Sequence, residues 1–270
     1  MKKMLLFFLS FLIFNSAKTQ ILITQKVTDC KSNEPIPFVS IGVAGQNVGT
    51  ITDEKGIFSL QIPQNFIQDS LTFSSIGFET KRFCIKNIKT DLQLCPQTTQ
   101  LPVLTVSSKP RKEKNLGLNR TGSAFYALSC DLKGQSMAAR ILNRKNIYAR
   151  KIGLYVNENK SDSAKMRVTF YKANKDKIGE IINTEPLIWV IKQPKTGWLN
   201  YDLPQVLPIE GDFFVGLEIV EIYTTDKNCF FSIQGGISFK NMTYSRKASQ
   251  ANWTLEKVSH LSLRVVASYE

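Results

Sequence analysis

The chain has 270 residues and a formal net charge of +13, from 35 lysines and arginines against 22 acids. A hydrophobic fraction of 43% with scattered prolines excludes a largely disordered chain, and the length leaves room for two modest domains. A single histidine excludes zinc peptidase sets that need two histidines beside a glutamate, and no Gly-x-Ser-x-Gly motif accompanies it for a serine hydrolase.

Lys2 and Lys3 precede an apolar run from Met4 to Phe14 that only Ser10 interrupts, and Asn15-Ser16-Ala17 then offers small or polar residues. This is the tripartite pattern of a secretory signal peptide, expected to span residues 1–19. The run falls short of the roughly 20 apolar residues that a membrane span needs. The first cysteine, Cys30, lies too far on for a lipid anchor. The positive charge is uneven. Residues 20–96 carry seven bases and seven acids, whereas residues 116–270 carry twenty-one and fourteen. A basic second half attracts anionic polymers, and export leaves anionic glycan rather than nucleic acid; a solvated basic surface with no specific partner is the plainer reading.

The first domain, residues 20–96, reads as about seven short strands. Ile21–Val27, Phe38–Val43, Val48–Thr52, Ile57–Ile62, Leu71–Ser74, Thr80–Ile85 and Asp91–Leu94 are separated by turn signals. The turn Thr52-Asp53-Glu54-Lys55-Gly56 is the sharpest. Asp53 can bond the backbone that follows it, and Gly56 can take a positive φ.

Four spaced motifs carry a resemblance: Val27-x-Asp29; Glu34 to Ile41; Gly49-Thr50-x-Thr52-Asp53-x-x-Gly56-x-Phe58; and Leu71-x-Phe73-Ser74-x-Ile76-Gly77-Phe78. Together they resemble the carboxypeptidase-regulatory-like domain, with Gln25 standing where that family usually has a glycine. The resemblance covers Ile21 to Cys95. It implies a transthyretin-like, seven-stranded β-sandwich, the company of exported and outer-membrane proteins of Bacteroidota, and no peptidase residues.

Residues 97–115 read as a basic linker, extended by Pro102 and Pro110. Beyond it, residues 116–270 again run strand after strand: Ala124–Ser129, Ile147–Val156, Ala164–Lys172, Leu187–Ile191, Trp198–Asp202, Phe213–Ile222, Phe230–Ile233 and Leu261–Ser268. Only Gly134 to Arg144 could hold a short helix. The fold class expected is all-β, a transthyretin-like sandwich followed by a jelly-roll-like antiparallel sandwich. Arg167–Tyr171, Gly197–Leu203 and Gly211–Glu218 resemble the C-terminal region of other exported Bacteroidota proteins with this N-terminal domain, which brings no activity with it.

No residue is assigned to catalysis, a cofactor or a metal. His260 opens the last strand and reads as a surface or strand-end residue. Asp53, Glu54, Asp202, Glu210 and Asp212 lack the alternating acids of a calcium loop; Asp53 is a turn former, and Asp202 and Asp212 sit at strand ends. Five cysteines leave at least one unpaired. Pairing stays open, and buried free thiols are the favoured reading. Among the aromatics Trp189, Trp198, Tyr201, Phe213, Phe214 and Trp253, core filling is the default and is clearest for Trp198 and Phe214. Trp253, in the polar stretch Ser249–Asn252, is the candidate for exposure and for stacking on a ligand. These readings converge on an exported, non-catalytic accessory or interaction protein of the cell envelope, in the periplasm, at the outer-membrane surface or outside. Its partner would be an envelope protein or an anionic glycan. A glycan-binding module is the alternative, and a hydrolase would have to be built on His260.

Overall fold

The structure, a computed structural model, describes residues 20–88, 92–97, 112–192, 195–225, 229–237, 242–257 and 259–269. The expected signal segment and most of the expected linker lie outside the described residues.

Seven strands form the first domain: β1 (Gln20–Asp29), β2 (Ser40–Val43), β3 (Gly49–Ile51), β4 (Ile57–Pro63), β5 (Ser70–Ser74), β6 (Lys81–Cys84) and β7 (Leu92–Leu94). They make a three-stranded sheet, β4-β1-β7, and a four-stranded sheet, β3-β2-β5-β6. Among the described strands of this domain only β7 runs parallel to its neighbour. Alternation decides what is buried: Phe58, Leu60 and Ile62 of β4 point inward while Ile57 and Ser59 face out. Val27, Val39, Ile41, Leu71 and Phe73 complete the core, and Phe73 meets Phe58 and Phe83 edge-on.

The β3–β4 turn forms as its residues dictate. Asp53 Oδ1 accepts the amides of Lys55 at 2.9 Å and Ile57 at 2.8 Å. Gly56 takes φ 72°. A Cβ there would also stand 2.7 Å from the Val27 carbonyl oxygen, so sterics and conformation both require glycine.

The second domain begins with β8 (Lys112–Gly117), inside the stretch read as linker, because Lys112 to Gly117 pair with the last strand. Then follow β9 (Ala124–Leu128), β10 (Ser136–Ile141), β11 (Ile147–Asn159), β12 (Ser163–Asn174), β13 (Lys177–Ile181), β14 (Leu187–Lys192), β15 (Gly197–Ile209), β16 (Phe213–Tyr223), β17 (Phe231–Ile237), β18 (Thr243–Arg246), β19 (Thr254–Glu256), β20 (Ser259–Leu261) and β21 (Leu263–Tyr269). One antiparallel sheet runs β13-β12-β16-β10-β18-β19, with β14 also on β12. The other runs β20-β17-β11-β21-β8, with β15 on β11 and β9 on β17. One apolar core lies between them, built from Met166, Val168 and Phe170 of β12, Phe213, Val215 and Leu217 of β16, and Ile152 and Leu154 of β11. The all-β, two-sandwich class expected from the sequence is what folds.

Four expectations need correction. Residues Ser136–Ile141 form β10, not a helix, because both flanking strands, β16 and β18, take their hydrogen bonds. Phe38 lies outside β2 and holds φ 58°. The cysteines are not all free thiols: Cys30 pairs with Cys95 and Cys130 with Cys229, leaving Cys84. Trp198 is not core, since the alternation of β15 sends Leu199 and Tyr201 inward and Trp198 to the outer face.

Candidate functional site

A row of side chains crosses the outer face of the β12-β16-β10-β18 sheet. The register places Arg167 opposite Glu218, Glu218 opposite Ser136, and Ser136 opposite Arg246. Arg167 and Glu218 keep only 6% and 5% of their surface exposed. Glu218 Oε2 accepts Arg167 Nε at 3.0 Å and is also bonded by Arg167 Nη2. Its Oε1 accepts Arg246 Nη2 at 3.1 Å and Ser249 Oγ at 2.8 Å. Burial alone would push the Glu218 carboxyl up, but the two arginines and these hydrogen bonds outweigh it and hold it below the usual carboxylate range.

What buries this row is the first domain. Arg167 Nη1 donates to the Phe38 carbonyl at 2.6 Å, and Nη2 reaches Ser40 Oγ. The left-handed φ of Phe38 belongs to this contact, in the turn that leads into β2. Beside it the β18–β19 loop presses onto β2 and β3. The Gly45 amide donates to the Gln250 carbonyl at 2.8 Å, and Gln250 Nε2 donates to Ser74 Oγ at 2.7 Å. Gly42 and Gly49 pair with each other, and a Cβ on either would fall 2.4 or 2.3 Å from the Ser249 carbonyl oxygen. Both glycines are there for close backbone approach. At the rim Lys165 bridges to Glu54 at 2.7 Å and Glu221 at 3.3 Å, exposed pairs that contribute little. The domains are therefore joined by a polar, buried seam as well as by the chain that connects them. Gly49→Ala should loosen this seam, at a cost of about 1–3 kcal/mol for an overpacked contact, and calorimetry of the variant against wild type checks it.

Trp253 stands at the end of the same loop. It is half-buried, with the Tyr171 ring edge-on at 6.4 Å and the Arg246 guanidinium 4.6 Å over its face. The polar stretch before it is not a free loop: Ser249 is fully buried. The seam residues Arg167, Glu218, Arg246 and Ser249 were not singled out from sequence as a site. The available signal was a charge flanked on both sides by apolar residues in each of two strands, Met166-Arg167-Val168 and Leu217-Glu218-Ile219.

The remaining candidates have structural neighbours. His260 is not a surface residue: it is fully buried in β20, with Nδ1 3.2 Å from Thr243 Oγ1. Asp202 pairs with Lys151 at 3.0 Å. Asp212 pairs with Arg140 at 2.9 Å and accepts the Asn143 amide at 2.8 Å. Glu54 serves the seam, and Glu210 is exposed on the β15–β16 turn. Trp189 is core and stacks on Tyr201 at 5.6 Å; Phe213 is core, and Phe214 is buried on the outer sheet face against Tyr244. Trp198 carries the Arg264 guanidinium at 4.4 Å and Tyr155 edge-on, beside exposed Asn200. Among the described residues no three His, Cys, Asp or Glu side chains gather as a metal site.

Comparison with known proteins agrees with the first domain's geometry. Residues 23–106 match the CarboxypepD_reg-like domain family. No curated protein matches the chain. Among solved structures, the cysteine protease and lectin-like domains of Cwp84, a surface layer associated protein of Clostridium difficile, are 10% identical with a TM-score of 0.43. That alignment covers 91% of this chain and 55% of the other. A structure of infectious bursal disease virus Gx strain is 9% identical with a TM-score of 0.27, covering 92% of this chain and 63% of that one. The chain thus spans about half to two thirds of the length of these structures, and both scores lie below that of a shared fold.

Proposed function

We propose that this chain is an exported, non-catalytic accessory protein of the cell envelope whose two sandwiches act as one rigid binding body. The observation that carries this reading is the seam: the buried charge cluster of Arg167, Glu218 and Arg246 is spent on holding the first domain, not on lining a cleft. The burial of His260 removes from solvent the one imidazole a hydrolase could use. Two disulfides suit an oxidising compartment outside the cytoplasm. Among the described residues no helix is long and apolar enough to cross a membrane.

Fractionation of native cells tests the reading. The mature protein is expected in the envelope or the medium, beginning after about Ala17 to Thr19, with Cys130 and Cys229 resistant to alkylation. Cytoplasmic protein with Met1 intact would overturn it. Glycan recognition is the second reading, favoured by the aromatic and polar surface of Trp198, Tyr155 and Asn200 on the outer face of β15 and β11. On a glycan array, Trp198→Ala should weaken binding at every salt concentration, because stacking is not screened. Trp253→Ala should act mainly through the seam loop and therefore lower stability as well.

A further inference from the structure

At one end of the C-terminal sandwich, where β8, β11 and β21 meet the β10–β11 connection, lies a cavity of about 310 Å³. That volume is at the small end for ligand pockets. Its floor is apolar. Ile147 and Ala267 belong to the domain core, and Leu116 and Tyr269 pack against it. Leu142, 45% exposed, forms an apolar lip.

Lys114, Arg144 and Lys145 stand around the same opening. All three are exposed, and none is ion-paired among the described residues. Lys145 Nζ sits 4.9 Å over the Tyr269 ring, which holds the ammonium at the mouth. Among the described residues no carboxylate lines the cavity. The neighbouring acids among the described residues are engaged or turned away. Asp212 is taken by Arg140 and the Asn143 amide. Glu113 alternates with Lys114 along β8 and so faces the other side of the sheet.

A cationic rim over an apolar floor selects one kind of molecule. We propose that this cavity binds a small amphiphilic anion, a carboxylate or phosphate group joined to an apolar body the size of a short acyl chain. The three cations raise the local concentration of anions at the mouth, and the floor rewards an apolar tail over a bare ion. The inference goes beyond the accessory reading and stands whether or not the protein recognises glycan.

Calorimetric titration of the full chain with octanoate, octyl phosphate, octanol and inorganic phosphate tests it. Octanoate or octyl phosphate should bind at least tenfold more tightly than octanol and than inorganic phosphate. The Arg144→Ala/Lys145→Ala variant should weaken that binding at least tenfold, and Leu142→Ser should weaken it too. Arg144, Lys145 and Leu142 are exposed, so the variants should melt as wild type does. The proposal is overturned if octanol binds as well as the anions, if inorganic phosphate binds as well as they do, if neither amphiphile binds, or if the double variant leaves binding unchanged.

Discussion

Glu218→Gln should destabilise the protein by about 3–5 kcal/mol, the usual cost of removing one partner from a buried ion pair. The variant keeps the shape of the side chain and removes its charge. Arg167 then remains buried with a full positive charge, and Arg246 loses its only carboxylate partner among the described residues. The Phe38 carbonyl and Ser40 hydroxyl cannot replace a carboxylate. The damage should also be located. Wild type should melt in one cooperative transition, because the row of charges belongs to one domain and its cover to the other. In Glu218→Gln the transition should split, with each sandwich melting on its own. Replacing both partners, Arg167→Met with Glu218→Met, should recover part of the loss, since a buried pair costs desolvation that an apolar pair does not. A loss below about 1 kcal/mol with a single unmoved transition would mean that the seam is not held by this pair.

The seam also shows what the sequence could and could not say. The first domain was legible because its information is local. Asp53 and Gly56 sit three residues apart, and the turn they build is visible without knowing anything distant. The alternation in β4 likewise needed only its own seven residues. Arg167 and Glu218 are 51 residues apart, and their pairing depends on the register of β12 against β16. Each alone reads as a polar residue on the solvent side of a strand. The Ser249–Asn252 stretch misleads for a related reason. Its polarity suggested exposure, yet its polar backbone is matched by the Gly45 amide and its bulk by two glycines in the other domain. Composition reports what a segment can bond to, and only the tertiary fold decides whether water or protein supplies the partner.

The same limit explains the cysteines and Trp198. Cys30 and Cys95 lie 65 residues apart in sequence, and Cys130 and Cys229 lie 99 apart, so no local spacing announces either bridge. Trp198 was assigned to the core by residue type, whereas the phase of β15 is set by Leu199, Tyr201 and Leu203 packing inward. The candidate platform is thus a tryptophan that residue type assigns to the core. Both tryptophans carry a guanidinium over one face, Arg264 on Trp198 and Arg246 on Trp253, and what separates them is that Trp253 closes the seam loop.

The buried histidine should make stability fall in mild acid. Burial lowers the His260 pKa from 6.5 to about 4, against a small opposing influence of the Met242 carbonyl. Its surroundings favour the neutral ring. The Leu261 amide donates to Thr243 Oγ1 at 3.2 Å, and the same hydroxyl lies 3.2 Å from His260 Nδ1, so the groups around the ring are uncharged. Tyr126, whose own pKa is raised by burial, stays uncharged throughout the acid range and supplies no counter-charge. The sign follows from which state binds the proton. Below pH 6.5 the unfolded chain protonates its histidine while the folded chain does not, so stability drops as pH falls. The drop is about 1.4 kcal/mol per pH unit and about 3 kcal/mol by the time the folded histidine itself titrates near pH 4. Glu218 adds a second loss at lower pH: its folded pKa is depressed, so its contribution is present above the unfolded value of 4.5 and disappears below it. Urea melts at half-unit steps from pH 7.5 to 3.5 separate the two. His260→Gln, whatever its stability at neutral pH, should flatten the arm between pH 6.5 and 4.5 and keep the steeper fall beneath it. Glu218→Gln should do the reverse. A wild-type curve that stays flat down to pH 4.5 would mean that His260 reaches water more easily than its burial indicates.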